Sequence, residues 1–173
     1  MKNAETPVFK VVLLGGLDRL GDALVSELLQ RQHEVNVILD DLNRLQARPG
    51  LHAKSGGLAS ADQAEQSIAG GSAVVCLLDA LAPGDFARQA HMTQALLTGM
   101  ARTRLRRIVL VGQFATGAAP LVELVQAGDL QWTLVNTPAT EQPDSLASIA
   151  AGIADLLDLN LHYAERVNFI EPS

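Results

Sequence analysis

The sequence has little of several residue types, and each shortage excludes a class of structure. Aromatic residues make up only 3% of the 173 residues, so a buried core has to consist mainly of Leu, Val, Ile and Ala. Cys76 is the single cysteine and cannot form an internal disulfide, and its apolar surroundings predict a core thiol in a protein of the reducing cytoplasm. No apolar run reaches the roughly 18 residues of a membrane span. Residues 1–7 are polar and are interpreted as a flexible end rather than a signal peptide.

Positive charge and metal-binding patterns are also scarce. The net charge of −6 argues against nucleic acid or an anionic membrane as a partner. The histidines do not have the spacing of metal ligands, so no metal site is predicted; they are His33, His52, His91 and His162. Four arginines cluster at 102, 104, 106 and 107, where they are interpreted as a solvated helix end rather than a phosphate or partner site.

What the sequence does have is an alternation of strand and helix patterns along its whole length. Apolar runs predict strands at about 8–14, 34–39, 51–54, 73–78, 107–111 and 132–135, with a possible edge strand at 167–170. Helical periodicity predicts helices at about 19–31, after Ser60, from Phe86 to Met100, after Pro120, and from an N-cap at Asp144. The chain is therefore predicted to be a single α/β domain over residues 1–173. Its doubly wound, mostly parallel sheet would have the order 3-2-1-4-5-6, with a possible seventh edge strand and helices on both faces.

The turn after the first strand, Gly15-Gly16-Leu17-Asp18-Arg19-Leu20-Gly21, is the most informative motif. A complete dinucleotide fingerprint has glycine at the first, fourth and seventh positions of such a turn, whereas Asp18 stands at the fourth. Backbone N–H groups here could hold a pyrophosphate, with Arg19 offsetting Asp18. Alternatively, Asp18 caps the helix as a built-in anion and takes the place of a ligand phosphate, and Arg19 is solvated.

Asp40 follows Gly21 by 19 residues, at the end of the second strand. A carboxylate there accepts hydrogen bonds from an adenosine ribose and repels a 2′-phosphate, so any bound dinucleotide is predicted to be NAD rather than NADP. The alternative is a turn residue that shares this role with Asp41. The loops at the carboxyl ends of the strands meet at one crevice, which gives these candidate cofactor-binding residues: Gly15, Gly16, Leu17, Asp18, Arg19, Leu20, Gly21, Asp40, Asp41, Gly57, Leu58, Leu78, Asp79, Gly112 and Asn136.

Several segments in order resemble the NmrA-like, atypical short-chain dehydrogenase/reductase group of Rossmann proteins. The turn 15–21 stands where that family has Gly-Ala-Thr-Gly-x-x-Gly, and 32–35 where it often has Gly-His-Glu-Val. The segments 105–111, 130–135 and 149–154 resemble its fifth strand, sixth strand and closing helix. The resemblance implies a Rossmann fold that binds NAD or NADP.

The departures from the family pattern bear on activity. Gly56-Gly57 lacks the family's acidic residue, Gly112 replaces a serine, and Asn136-Thr137 replaces Arg-Pro. The segments that build the substrate pocket in the family are short here, which implies a small or absent pocket. The family's catalytic Tyr-x-x-x-Lys is missing, because Tyr163 is the single tyrosine and Val167 stands four residues on.

These features predict a nucleotide-binding-type domain without dehydrogenase activity of its own and without catalytic residues. It would act as a regulatory or partner-binding protein, with or without a bound dinucleotide. One alternative is a small NAD(P)H-dependent oxidoreductase that completes its site with a partner chain, including a second copy. The other is an interaction domain whose crevice is empty.

Overall fold

The structure, a computed structural model, describes residues 10–15, 18–44, 47–114, 119–137, 143–158 and 165–168. They contain a seven-stranded sheet in the order β3-β2-β1-β4-β5-β6-β7, with every neighbouring pair parallel. The strands are β1 Lys10–Leu14, β2 Glu34–Leu39, β3 Leu51–Ser55, β4 Ala73–Leu77, β5 Arg107–Gly112, β6 Gln131–Asn136 and β7 Glu165–Asn168. The predicted α/β fold and its strand order, including the seventh strand, are confirmed.

Helices cover both faces of this sheet. They are α1 Arg19–Gln30, α2 Ala61–Ile68, α3 Leu78–Leu81, α4 Phe86–Ala101, α5 Ala119–Ala127 and α6 Pro143–Asp158, and a 3-10 turn spans Leu42–Arg44. Helix α1 packs against α6 on one face, and α4 packs against α2 and α5 on the other. None of the helices in the described ranges is both long and apolar enough to span a bilayer.

Alternation along the central strands explains why both faces are covered. In β1, Val11 and Leu13 point to the α1 and α6 layer, whereas Val12 and Leu14 point to the α2, α4 and α5 layer. A strand that is apolar on both sides can be buried only between two helical layers. Cys76 is fully buried in β4, and this burial raises the pKa of its thiol to about 12, so it is a core residue as predicted.

Three local predictions need correction. Strand β4 ends at Leu77 rather than 78, because Leu78 and Asp79 begin the one-turn helix α3; both states bury Leu78, so its apolar character does not distinguish them. Asp144 is not an N-cap, because α6 already begins at Pro143, a residue whose fixed φ suits a first helical turn. The helical periodicity of the sequence places Phe86 on one apolar face with Thr93 and Met100, but Phe86 is 37% exposed, and the buried face of α4 includes Gln89 instead.

The arginine cluster is also not a uniformly solvated helix end. Arg106 does donate to the carbonyls of Met100 and Thr103 at the end of α4. Arg107, however, is only 6% exposed, and it donates to the Gln131 carbonyl and the Thr133 hydroxyl, both at 2.9 Å. The acceptors come from β6, which is distant in sequence, so composition near residue 107 does not reveal this burial.

Candidate functional site

The chain reverses its direction of travel across the sheet between β1 and β4. Strands β2 and β3 lie on one side of β1, and β4 to β7 lie on the other. In an open α/β sheet, the loops at the carboxyl ends of the strands diverge at such a point and leave a crevice that ligands use. Two cavities lie at this edge. We call them the β2-side cavity and the β5-side cavity.

Gly15 forms the tight turn that leaves β1. Its φ is +84°, in the left-handed region that glycine adopts freely. A Cβ atom at this position would lie 2.7 Å from the Leu77 carbonyl oxygen and 3.2 Å from the Ala80 Cβ. The first glycine of the motif is therefore required both by its dihedral angle and by the close approach of β4 and α3.

Asp18 is the N-cap of α1. Its Oδ1 accepts a hydrogen bond of 2.6 Å from the backbone N–H of Gly21, and its carbonyl oxygen accepts from Asp22. This is the built-in anion that the sequence offered as an alternative to a ligand phosphate. Asp18 and Ala80 line both cavities, so these two residues lie at the boundary between them.

The β2-side cavity has a volume of about 430 Å³ and lies at the ends of β1 and β2. It holds the two predicted carboxylates, Asp18 and Asp40, together with one cationic side chain, Arg88 from the first turn of α4. The described lining residues are Gly15, Asp18, Ile38, Leu39, Asp40, Gly56, Ala80, Leu81, Arg88 and Met92.

The β5-side cavity has a volume of about 270 Å³ and lies at the ends of β4 and β5. This volume lies slightly below the range of about 300–1,000 Å³ that is typical of ligand pockets. The described lining residues are Asp18, Leu20, Leu77, Asp79, Ala80, Pro83, Gly84, Phe86, Val111, Gly112, Gln113, Thr137, Leu146 and Ile149. The charged side chains among these lining residues are the carboxylates of Asp18 and Asp79.

Asp79 is the titratable group that enters the β5-side cavity from α3. It is partly buried, and this burial raises the pKa of its carboxyl group, opposed by a hydrogen bond from Gln89. Gln89 is 2% exposed; its Nε2 donates to the Ala82 carbonyl at 2.9 Å and to Asp79 Oδ1 at 3.3 Å. The carboxyl group is thus held in a fixed orientation by a buried amide.

The other candidate residues divide between backbone and core positions. Leu58 and Leu78 are buried in the layer of α2, α4 and α5, and Gly57 forms hydrogen bonds with the Ser67 hydroxyl. Asp41 caps its own turn by accepting from the Asn43 N–H, and the Asn136 side chain accepts from the Phe114 N–H. In α1, Arg19 is exposed and Gly21 is buried. Gly16, Leu17 and Tyr163 lie outside the described residues.

Several lining residues are not among the sequence candidates. Arg88, Gln113 and Thr137 line the cavities, and Gln89 orients Asp79. Gln113 and Thr137 directly follow β5 and β6, within the segments 112–114 and 136–138 that the rule for carboxyl ends places at the crevice. Arg88 and Gln89 are the third and fourth residues of α4, and no local pattern predicts their proximity to the glycine turn. Within the described ranges, no three His, Cys, Asp or Glu side chains are grouped to hold a metal ion.

A sequence profile of the NAD(P)H-binding family matches residues 15–123, which is more than half of the chain. The chain belongs to the NAD(P)H-binding family. The match begins at Gly15, so it includes the glycine turn, Asp40 and α4, and it confirms the predicted membership of an NAD(P)-binding Rossmann family. A search of curated proteins finds no significant match.

Solved structures of similar fold come from several bacteria. A short-chain dehydrogenase/reductase from Veillonella parvula in complex with NADP has a TM-score of 0.78 and 12% identity, covering 96% of each chain. A Rossmann-fold NAD(P)-binding family protein from Shigella flexneri has a TM-score of 0.78 and 14% identity, covering 96% of this chain and 95% of its own. An oxidoreductase from Lactococcus lactis has a TM-score of 0.77 and 12% identity, covering 92% and 89%. At these identities, the comparison establishes the fold alone.

Proposed function

We propose that this NAD(P)H-binding chain binds an adenine dinucleotide across the two cavities, prefers NAD to NADP, and acts as a regulatory or partner-binding protein of the cytoplasm. The observation that carries the proposal is the pair of cavities at the switch point, with Asp40 on the β2 side. In a doubly wound sheet, the adenosine half of a dinucleotide lies on the side of the second strand. The nicotinamide half would then occupy the β5-side cavity.

The lining residues suit the adenosine and nicotinamide halves of the ligand better than they suit the pyrophosphate that joins them. Asp40 is exposed in the β2-side cavity, where its carboxylate can accept from ribose hydroxyls and repel a 2′-phosphate. Phe86 and Ile149 give the β5-side cavity apolar surface for a flat ring. The pyrophosphate would pass Asp18, whose negative charge weakens binding without closing the passage.

The proposed regulatory role follows from the acid–base groups. The described lining of the β5-side cavity contains no tyrosine, lysine or histidine. Lys10 pairs with Glu34 at the start of β1, and Lys54 donates to the Gln66 carbonyl from β3, so neither side chain is a lining residue of the cavity. The described lining residues of this cavity therefore lack the acid–base groups that short-chain dehydrogenases typically use for proton transfer.

Calorimetry with NAD and NADP on the wild type, Asp40→Ala and Asp41→Ala tests the proposal. We expect the wild type to bind NAD more tightly, and Asp40→Ala to reduce the ratio of the two affinities by about tenfold. Asp41→Ala is the matched control, because it removes a neighbouring carboxylate that caps its own turn. Tighter binding of NADP that does not change in Asp40→Ala would contradict the predicted preference.

Asp79 favours a second candidate, a small NAD(P)H-dependent oxidoreductase. Its partly buried carboxyl group has a raised pKa and Asp79 lines the β5-side cavity, so it is a candidate proton donor to a substrate bound there. Under the regulatory proposal, the isolated chain should not consume NADH with aldehydes, ketones or quinones. Steady consumption that is lost in Asp79→Asn would replace the regulatory proposal with this one.

A further inference from the structure

A dinucleotide that spans the two cavities would bring its negatively charged pyrophosphate close to the carboxylate of Asp18. The N-terminus of a helix normally supplies N–H donors to the pyrophosphate. In this chain Asp18 Oδ1 already accepts from the Gly21 N–H at 2.6 Å. A phosphate that approached α1 would meet this carboxylate and would find the Gly21 N–H already used. A cation on another wall of the cleft would offset the repulsion.

Arg88 is positioned to supply that cation. It lines the β2-side cavity together with Gly15, Asp18 and Asp40, and it is the cationic side chain among the described lining residues. Its backbone is fixed at the start of α4, since the Arg88 N–H donates to Asp85 Oδ1 at 3.0 Å. The guanidinium group is exposed and carries no hydrogen bond or ion pair within the described part of the chain.

Four other arginines, Arg31, Arg102, Arg106 and Arg107, are bound to partners outside the two cavities. Arg31 pairs with Glu27, Asp155 and Asp158, and Arg102 pairs with two carboxylates of α2. Arg106 and Arg107 donate to carbonyl oxygens. An arginine that faces a cleft and keeps its donors available is suited to a phosphate, because its planar group can offer two parallel N–H bonds.

We propose that Arg88 binds a phosphate group of the dinucleotide and takes over the role that the N-terminus of α1 has in a complete fingerprint. This inference rests on the proposed dinucleotide binding. The phosphate would be held between α4 and the glycine turn, displaced away from Asp18. The ribose would remain beside Asp40 on the same cavity wall.

The test measures binding of NAD, NADP and ADP to the wild type, Arg88→Gln, Arg88→Lys and Arg104→Gln. Arg104 is the matched control, because it is exposed and lines neither cavity. We expect Arg88→Gln to weaken NAD and ADP binding by about tenfold, the loss of one charge-assisted hydrogen bond. Arg88→Lys should recover part of this affinity, and Arg104→Gln should change it less than about twofold.

The outcomes separate this inference from the proposed function. Equal weakening of NAD and NADP supports the assignment of Arg88 to the pyrophosphate, whereas weakening of NADP alone would place Arg88 on the 2′-phosphate and overturn that assignment. NAD binding that is the same in Arg88→Gln and Arg104→Gln overturns the inference and leaves the function standing. Arg88-dependent binding of ADP without any binding of NAD or NADP overturns the proposed dinucleotide function, and it reduces the inference to a site for the phosphates of ADP at Arg88. No binding of any of the three ligands overturns both.

Discussion

Charged side chains have different surroundings at the two ends of the parallel strands, which we call the amino edge and the carboxyl edge of the sheet. At the edge formed by the amino ends of the strands, polar and charged side chains contact one another. Asp158 Oδ2 accepts from Arg31 Nη1 at 2.8 Å, and Asp158 Oδ1 lies 2.5 Å from Nε2 of the buried His33. At the carboxyl edge, Asp40 and Arg88 are exposed to a cavity. Charges that pair within the fold stabilise it, whereas charges that face a cleft remain available for a ligand. The comparison separates the residues that hold the domain together from those that give it a function.

The largest effect on the free energy of unfolding should come from substituting Gly15 at the carboxyl edge. It is compared with Gly70 at the amino edge, whose φ is nearly the same. Gly15 has a φ of +84° and Gly70 a φ of +83°, but a Cβ at Gly15 would lie 2.7 Å from a backbone oxygen, whereas none lies within 4 Å at Gly70. Gly15→Ala should therefore lower the free energy of unfolding by about 3 kcal/mol, from left-handed strain plus overpacking. Gly70→Ala should lower it by about 1–2 kcal/mol, from strain alone. Denaturant unfolding of the two variants measures the difference, and equal losses would refute the close approach at Gly15.

Asp18→Gly tests whether the internal anion limits binding at the carboxyl edge. Removing the carboxylate relieves its repulsion of phosphate and frees helix N–H groups, so NAD affinity should rise about tenfold to a hundredfold. The unfolding free energy should fall by only a few tenths of a kcal/mol, because glycine is tolerated at an N-cap. Titration calorimetry at one low salt concentration gives the affinity. If Arg88 carries the phosphate, Arg88→Gln should matter less in the Asp18→Gly background.

Asp158→Asn tests the amino edge by removing one charge from a partly buried network. Its carboxylate contacts both Arg31 and the buried His33, so the free energy of unfolding should fall by about 1–2 kcal/mol. Asp155→Asn is the matched control: it also pairs with Arg31 at 2.9 Å, but its side chain is 53% exposed. The loss there should be below about 0.5 kcal/mol. Neither variant should alter NAD affinity; a change in that affinity would show that the two edges are coupled.

The smallest effect on stability is expected at Asp79, and there the substitution should stabilise the protein rather than destabilise it. Burial raises the pKa of its carboxyl group above 3.8, so the folded protein holds this proton more tightly than the unfolded chain does. The resulting stabilisation is complete below pH 3.8 and is lost as the pH rises through the folded-state pKa. Asp79→Asn should therefore raise the melting temperature slightly at pH 7 and leave it unchanged at pH 3. Glu123→Gln, at an exposed position of α5, is the control for the loss of one negative charge, and it should change the melting temperature at pH 7 less than Asp79→Asn does.

The sequence predicts the architecture better than the site, for a physical reason. Strand order follows from the alternation of strands and helices together with the glycine turn, which are local patterns. The end of β4 is not predicted, because Leu78 is apolar and buried in either a strand or a helix. The burial of Arg107 depends on acceptors in β6, and the position of Arg88 depends on how α4 packs over the glycine turn. These relations arise only when distant segments come together.

The rate at which the single thiol of the chain is modified can report how often the sheet opens. Cys76 lies in β4 at the centre of the sheet, with no exposed surface and a pKa of about 12, so a thiol reagent can reach it only when the sheet opens. The rate of its modification therefore reports how often β4 becomes exposed. When opening is rapidly reversible, a ligand that binds only the closed protein slows this rate by the factor 1 + [L]/Kd. One residue buried far from solvent would thus measure affinity for ligands that have no colour, no fluorescence and no measurable heat.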